Sequence, residues 1–422
     1  MKATVLITAY AVNPYKGSED GTGWNNIIQS ARHHNVIAIT RKNNQEHIDR
    51  YILEHSEMDF QKLSFEYFDL PYWMRFWKKG TIGALVYFYL WQLCMPLFIY
   101  RRKISFDIAH NLNFHNDWIP TFLWVFGKPL IWGPVGHHPV IPFRYIIRTY
   151  GYKALIIDRA NTIIKTIVRR LDPFMYIALW RADIILAVNS TTAKKYPWVK
   201  HKIQVFSAIG GTAPDHVHKT KSEKFILFSA GRLEPIKGFD IALLAYNRFC
   251  EKLSKEELST VSFRIAGSGR YQSKLSSIAK KGPNPNSVEF LAWVPKENIN
   301  SLYREASVFF FPSHEGAGMV IPEALSFGLP IVCFNNAGPG ESSDIYSALK
   351  VDYNTFDVSV EALSEHLLRL FRDENLRNKI GVAARARFDE VFDWNKKGVL
   401  LNEMYIQLLN HYEKKYPVYT PA

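Results

Sequence analysis

Apolar residues fall into two kinds of run along this chain, and the two kinds alternate. Short, nearly continuous runs occupy residues 4–8, 36–40, 64–69, 108–110, 129–132, 184–188 and 204–206, with helically spaced stretches between several of them. That alternation predicts βαβ units on a parallel sheet. A second series occupies 225–229, 262–266, 288–290, 308–311 and 330–334, again with helical patterns between, for example 238–253. A polar segment with Pro214 and three lysines separates the two series and reads as a linker. The last pattern, 394–415, is helical and has no strand after it. The expected fold is α/β with two Rossmann-like doubly wound domains facing across a cleft. They span 1–212 and 225–393, joined by a linker at 213–224 and followed by a C-terminal helix at 394–422. Ligands in open α/β sheets sit at the carboxyl ends of strands, so the chemistry is sought in the loops that follow them.

Two segments invite a membrane or targeting reading. Residues 81–100 carry no charge, lie between Lys78-Lys79 and Arg101-Arg102-Lys103, and are long enough to cross a bilayer. Gly83, Gln92 and Pro96 interrupt the run and strand patterns flank it, so a buried or interfacial helix is expected. Residues 4–8 follow a single lysine and precede a Gly-rich segment, which fits a first buried strand better than a leader.

Composition narrows the classes further. With 422 residues, 47% apolar and 22% charged, the chain is globular and sized for two or three domains, which excludes collagen-like, coiled-coil and disordered readings. Three distant cysteines, Cys94, Cys250 and Cys333, support neither a disulfide framework nor a CxxC zinc site and fit a reducing compartment. The net charge of +13 is concentrated: residues 70–105 hold six basic and no acidic residues, and 141–203 hold twelve basic residues against three aspartates. Tyr72, Trp73, Phe76, Trp77 and Trp91 interleave with the first stretch. Nucleic acid and an anionic membrane face are the two partners such a surface fits, beside an ordinary basic exterior. No RNP, KH or helix-turn-helix pattern accompanies it, so no specific nucleic acid is expected.

Three loops carry candidate chemistry. In Gly17-Ser18-Glu19-Asp20-Gly21-Thr22-Gly23-Trp24, Gly21 and Gly23 would let backbone approach a bound group, although the spacing is that of neither a P-loop nor a dinucleotide fingerprint. In Gly231-Arg232-Leu233-Glu234-Pro235-Ile236-Lys237-Gly238, Arg232 and Lys237 follow a strand and are placed to bracket a diphosphate, one as a planar fork and one as a point charge. After 308–311 come Glu315, the small turn Gly316-Ala317-Gly318-Met319, and Glu323. Turn amides and a helix start favour phosphate. Each glutamate would then face the neutral hydroxyls beside it, sugar on one side and ribose on the other. Paired general acid/base hydrolysis, or first-turn capping by Glu323, are the competing accounts.

Together these segments resemble retaining glycosyltransferases of family 4. Glu315 to Glu323 matches the family's E-x7-E signature, and Gly231-Arg232-Leu233 with Lys237-Gly238 resembles its GR-L-x-x-x-KG segment. Leu291-Ala292-Trp293-Val294 looks like its base-contacting loop, Ala266-Gly267-Ser268-Gly269 like its glycine turn, and Trp132-Gly133-Pro134-Val135-Gly136 like an N-terminal element of a subgroup. The likeness is strongest over 225–341. It implies a GT-B architecture, a UDP-sugar or GDP-sugar donor held mainly by the C-terminal half, and a glycan or lipid-linked acceptor on the N-terminal half. It also implies a C-terminal helix returning to the first half. By position, Arg232 and Lys237 would neutralise the leaving diphosphate, Glu315 would hold the donor sugar and Glu323 the ribose. Gly231, Trp293 and the backbone of Gly316, Ala317, Gly318 and Met319 would line the donor, with Gly21 and Gly23 on the other side. The family's histidine near the reacting carbon corresponds to His110 or His115, with His137 third. His110 ends a buried strand and is equally readable as a core histidine. No D-x-D occurs, so protein cations rather than a metal are expected to meet the diphosphate. The setting implied is cytoplasmic, peripheral on the inner face of the cell membrane, in cell-surface polysaccharide or lipopolysaccharide synthesis. An epimerase or phosphorylase on the same fold, or a basic nucleic-acid binder, are the rival readings.

Overall fold

The computed structural model describes residues 3–112, 116–136, 139–214, 224–292 and 294–415. His115, His137, His138 and Trp293 lie outside the described residues. The chain divides into two compact units, the first comprising Met1–His137, Ile163–Gly210 and Trp394–Ala422, the second His138–Thr162 and Gly211–Asp393.

Among its described residues the first unit holds seven strands: β1 (Thr4–Thr8), β2 (Asn35–Thr40), β3 (Leu63–Tyr67), β4 (Ile108–Asn111), β5 (Leu130–Val135), β6 (Ile184–Ala187) and β7 (Ile203–Val205). They pair in parallel in the order β3-β2-β1-β4-β5-β6-β7. Side chains alternate between faces. Val5, Ile7, Ile108, Ile131 and Leu186 join one core cluster; Leu6, Ala109, Trp132 and Ile185 join the other. The helix Gly80–Arg101 covers the second face with Tyr87, Phe88, Trp91, Met95 and Ile99. It is long and apolar enough to cross a membrane, yet about a third of it is buried against this unit. The helix Trp394–Lys415 covers the first face through Leu401, Tyr405, Leu408 and Leu409.

The second unit holds β8 (Phe225–Ala230), β9 (Val261–Ala266), β10 (Val288–Leu291), β11 (Val308–Phe310), β12 (Ile331–Phe334) and β13 (Ala348–Val351). All pair in parallel in the order β10-β9-β8-β11-β12-β13. Every residue of β8, β11 and β12 is buried, as expected of strands covered on both faces. Strand β13 is absent from the apolar pattern because it is a short edge strand that includes the half-buried Lys350.

Two features differ from the sequence reading. The Gly17–Trp24 stretch is not an open loop: Ser18–Ala31 is a helix with Gly17 at its N-cap, and both Gly21 and Gly23 are buried inside it. A Cβ on Gly21 would lie 2.6 Å from the Lys16 carbonyl oxygen and one on Gly23 only 2.1 Å from that of Ala11. The chain's own backbone requires glycine at both positions. Second, the long helix Phe143–Leu171 begins in the second unit, where Tyr145 donates its hydroxyl to the Asn354 carbonyl at 3.0 Å and lies 2.7 Å from Ser359 Oγ.

Candidate active site

In the second unit, strand order reverses between β8 and β11, the switch point at which α/β sheets hold ligands. The segments after these two strands contain Arg232, Lys237 and Glu315, with Glu323 in the helix that follows. Neighbouring loops brace them. Gly231 N–H donates to the Ala266 carbonyl, Leu233 N–H to that of Ser268, and Gly267 N–H to that of Leu291, each at 2.9 Å, so the turns after β8, β9 and β10 form one layer. Gly267 has φ +142°, and a Cβ there would fall 2.0 Å from the Gly231 carbonyl oxygen. Gly238 has φ +67°, and its Cβ would strike the Pro312 carbonyl at 2.0 Å. Only glycine allows the loop after β8 to be gripped from both sides.

Lys237 sits inside this layer, 8% exposed, and its Nζ contacts Glu315 Oε1 at 2.6 Å. Glu315 is equally buried. Its Oε2 accepts from Ser313 Oγ at 3.3 Å, and its backbone N–H donates to the same hydroxyl oxygen at 3.1 Å. The Ile236 carbonyl accepts from Ser313 Oγ and from His314 N–H, tying the β8 loop to the β11 loop. Asn336, after β12, donates to the Ser313 carbonyl at 2.7 Å and closes the third side. His314 is buried beside the stacked rings of Phe334 and Tyr353, with Nδ1 2.8 Å from the Tyr353 hydroxyl; burial pushes its pKa down to about 3. It is a neutral packing group.

Arg232 is exposed and forms no ion pair among the described residues. Glu323 lies on the rim of the helix Ile321–Ser326, where its Oε2 accepts a 2.9 Å hydrogen bond from the buried Tyr303 hydroxyl. Burial, then the Glu323 charge, holds that phenol well above its usual pKa. The helix is only six residues long, so its dipole is weak and a phosphate at the Gly316–Met319 turn would rely on the turn itself. Gly318 has φ +58° and packs against Pro339.

Of the expected residues, Lys237 and Glu315 meet directly, Arg232 stands on the same loop as Lys237, and Glu323 follows the turn Gly316–Met319 on the next helix. His110 belongs to the first unit. It is fully buried in the first unit, its Nε2 donating to the Gly133 carbonyl at 2.9 Å and its Nδ1 accepting from the Tyr405 hydroxyl at 2.8 Å. Burial lowers its pKa to about 4. With both nitrogens engaged, His110 is a core histidine and not a group offered to substrate. Ser313 and Tyr303 escaped the sequence reading. Ser313 carries a usable signal, a hydroxyl two residues before a glutamate at a strand end. Tyr303 lies in the last turn of the helix Lys296–Glu305 and carries none.

Residues 214–387 match the family described as Glycosyl transferases group 1. An uncharacterized glycosyltransferase of Haemophilus influenzae is 33% identical over 171 residues, 39% of this chain and 45% of that protein. The O-antigen chain mannosyltransferase B of Escherichia coli is 30% identical over 167 residues, 39% and 41% of the two chains. The chain therefore spans less than half the length of these curated relatives. Among solved structures, Anabaena Alr3699/HepE in complex with UDP superposes with a TM-score of 0.61 at 14% identity, covering 96% of this chain and all of that one. That likeness shows the fold, two Rossmann-like units of the GT-B class.

Proposed function

We propose that this chain, whose residues 214–387 belong to the glycosyl transferases group 1, moves a hexose from a nucleoside-diphosphate sugar to a hydroxyl of a glycan or lipid-linked acceptor, with retention at the anomeric carbon. One observation carries the reading: an exposed guanidinium and a buried ammonium–carboxylate pair stand at the switch point of one sheet. A departing diphosphate gathers negative charge on its oxygens, and cations already fixed there lower the barrier without having to rearrange. Arg232 offers a planar fork and Lys237 a desolvated point charge. These cations take the place of a bridging metal, in keeping with the lack of D-x-D. Glu315, held by Lys237 and Ser313, accepts from hexose hydroxyls. Glu323, oriented by Tyr303, accepts from the ribose.

In this reading the acceptor oxygen attacks from the face the diphosphate leaves. Its bond to the anomeric carbon forms as the carbon–oxygen bond to the diphosphate breaks, and its proton passes to a leaving-group oxygen. The UDP in the Anabaena neighbour supports a uridine donor, and the O-antigen chain mannosyltransferase relative supports a role in cell-surface polysaccharide or lipopolysaccharide synthesis; the resemblance leaves GDP as the other candidate nucleotide. The basic first unit supports a peripheral position on the cytoplasmic face of a membrane. The test is a panel of nucleotides and nucleotide sugars scored by melting temperature and by diphosphate release. Either UDP or GDP should raise the melting point, because a ligand bound only by the native state stabilises it. Indifference to both, with no sugar released or transferred from any donor, would overturn the assignment.

A further inference from the structure

Asn336 follows β12 closely and uses every hydrogen-bonding position of its side chain. Its Oδ1 accepts from the Gly338 N–H at 3.1 Å and from the Gly340 N–H at 3.3 Å. Its Nδ2 donates to the Ser313 carbonyl at 2.7 Å and to the Tyr353 hydroxyl oxygen at 3.3 Å. A side-chain amide has two donor and two acceptor positions, so all of them are engaged. Only this orientation serves: turned about, the oxygen would meet two oxygens and the NH2 two N–H groups. The Oδ1 bonds are local, an Asx turn within the loop after β12. The Nδ2 bonds leave that loop, and the one to Ser313 joins residues 23 positions apart.

What the Ser313 bond holds is the segment that carries Glu315. Ser313 Oγ meets both the Glu315 N–H, at 3.1 Å, and Glu315 Oε2, at 3.3 Å. Beyond Glu315 the loop after β12 lies against the Gly316–Met319 turn. A Cβ on Gly338 would fall 1.9 Å from the Glu315 carbonyl oxygen, and one on Gly318 3.0 Å from the Pro339 nitrogen. The Ser342 hydroxyl donates to the Ala317 carbonyl at 3.3 Å. Asn336 therefore fastens two parts of one contact: through Oδ1 the loop that packs on the turn, and through Nδ2 the strand end from which the turn springs. All of these residues belong to the second unit. With its own donors and acceptors engaged, Asn336 acts through Ser313 and Glu315 rather than on a bound sugar.

We propose that Asn336 is a positioning residue for sugar transfer, a strap that sets Glu315 and the backbone of the Gly316–Met319 turn where the donor sugar and its diphosphate are met. This rests on the transferase reading, and its experiment separates the two. Asn336→Asp keeps an acceptor for the Gly338 and Gly340 N–H groups but turns a charged oxygen, in place of a donor, toward the Ser313 carbonyl. At about pH 7.5 its kcat for donor turnover should fall roughly 10²-fold, the scale for displacing a group near the reacting atoms, while the donor KM moves by no more than about twofold. Protonating the new carboxyl restores a donor toward Ser313. The ratio of variant to wild-type kcat should therefore climb severalfold as pH is lowered from about 7.5 to about 5. Asn336→Ser can accept from the Gly338 N–H but is too short to reach Ser313, so it should lose turnover alike and show no such climb. Should the aspartate variant melt early, the serine variant carries the comparison. In the full chain without nucleotide, amide hydrogen exchange over residues 313–319 should quicken in both variants and match the wild type over the strands. Wild-type turnover in both variants, a ratio flat with pH, or unchanged exchange over 313–319 overturns the proposal. So does exchange quickened across the whole unit, which marks a fold defect and not a displaced turn. A wild-type chain that turns over no donor sinks the transferase reading instead, and the exchange then still decides whether the strap holds the turn.

Discussion

Arg232 and Lys237 look equivalent as letters, yet their surroundings make them different experiments. Arg232 is exposed and unpaired by any carboxylate among the described residues, so its removal should cost little stability. Arg232→Ala is expected to keep the wild-type melting temperature while turnover falls roughly 10²–10³-fold, the scale for losing one group that stabilises developing charge. Steady-state transfer assays beside thermal melts check it; unchanged turnover removes the role. Lys237 and Glu315 are a buried pair. Breaking such a pair strands one charge away from water, so Lys237→Met and Glu315→Leu should each destabilise by roughly 3–5 kcal/mol. The double variant should cost clearly less than the two singles added, because it leaves no stranded charge. Denaturant unfolding of the three variants measures this, and simple additivity would mean the charges do not sense each other.

At the level of elements, the loops after β8 and β9 are positioned by backbone contact more than by side chains. The turn after β9 reaches the loop after β8 only because Gly267 lacks a Cβ at φ +142°. Gly267→Ala should therefore push the Gly231–Leu233 backbone outward and displace Arg232. The expected result is weaker nucleotide binding together with a lowered melting temperature, measured by titration calorimetry and thermal melts. Wild-type nucleotide affinity in this variant would show that the bracing is dispensable. The same contrast explains Gly21 and Gly23: glycine spacing in a sequence reports close approach but not to what, and here the approach is to Lys16 and Ala11.

For the whole molecule, buried bases set the response of stability to pH. His110 and His314 are held neutral with pKa values lowered to about 4 and about 3, against about 6.5 in an unfolded chain. Above that unfolded value both states are neutral; as pH falls, the unfolded state takes up protons first, so stability should decline from about pH 6.5 downward. Lys397 adds a second slope. Burial lowers its pKa to about 7, in a site where Nζ donates to the Ser207 carbonyl beneath the Phe206 ring. Stability should thus also fall as pH drops from about 10, its unfolded value, to about 7. Lys397→Met should flatten this alkaline slope while leaving the acidic one, as read by chemical unfolding across pH; an unchanged slope would place the titration elsewhere.

The alternation of short apolar runs with helical stretches already pointed to two parallel α/β sheets, because strands covered by helices on both faces read as continuous apolar runs, and position after a strand picked out Arg232, Lys237 and Glu315 as loop residues and Glu323 as the start of a helix. Strand β13 was hidden by Lys350, since an edge strand need not be apolar throughout. Sequence could not tell whether His110 faced solvent or core, because histidine suits both; Tyr405, 295 residues away, decides it by taking Nδ1. Nor could it reveal that Lys237 and Glu315 hold each other, or that Asn336 reaches from one loop to Ser313 in another. Periodicity records which positions are apolar, while only packing determines which polar side chains come within reach of one another.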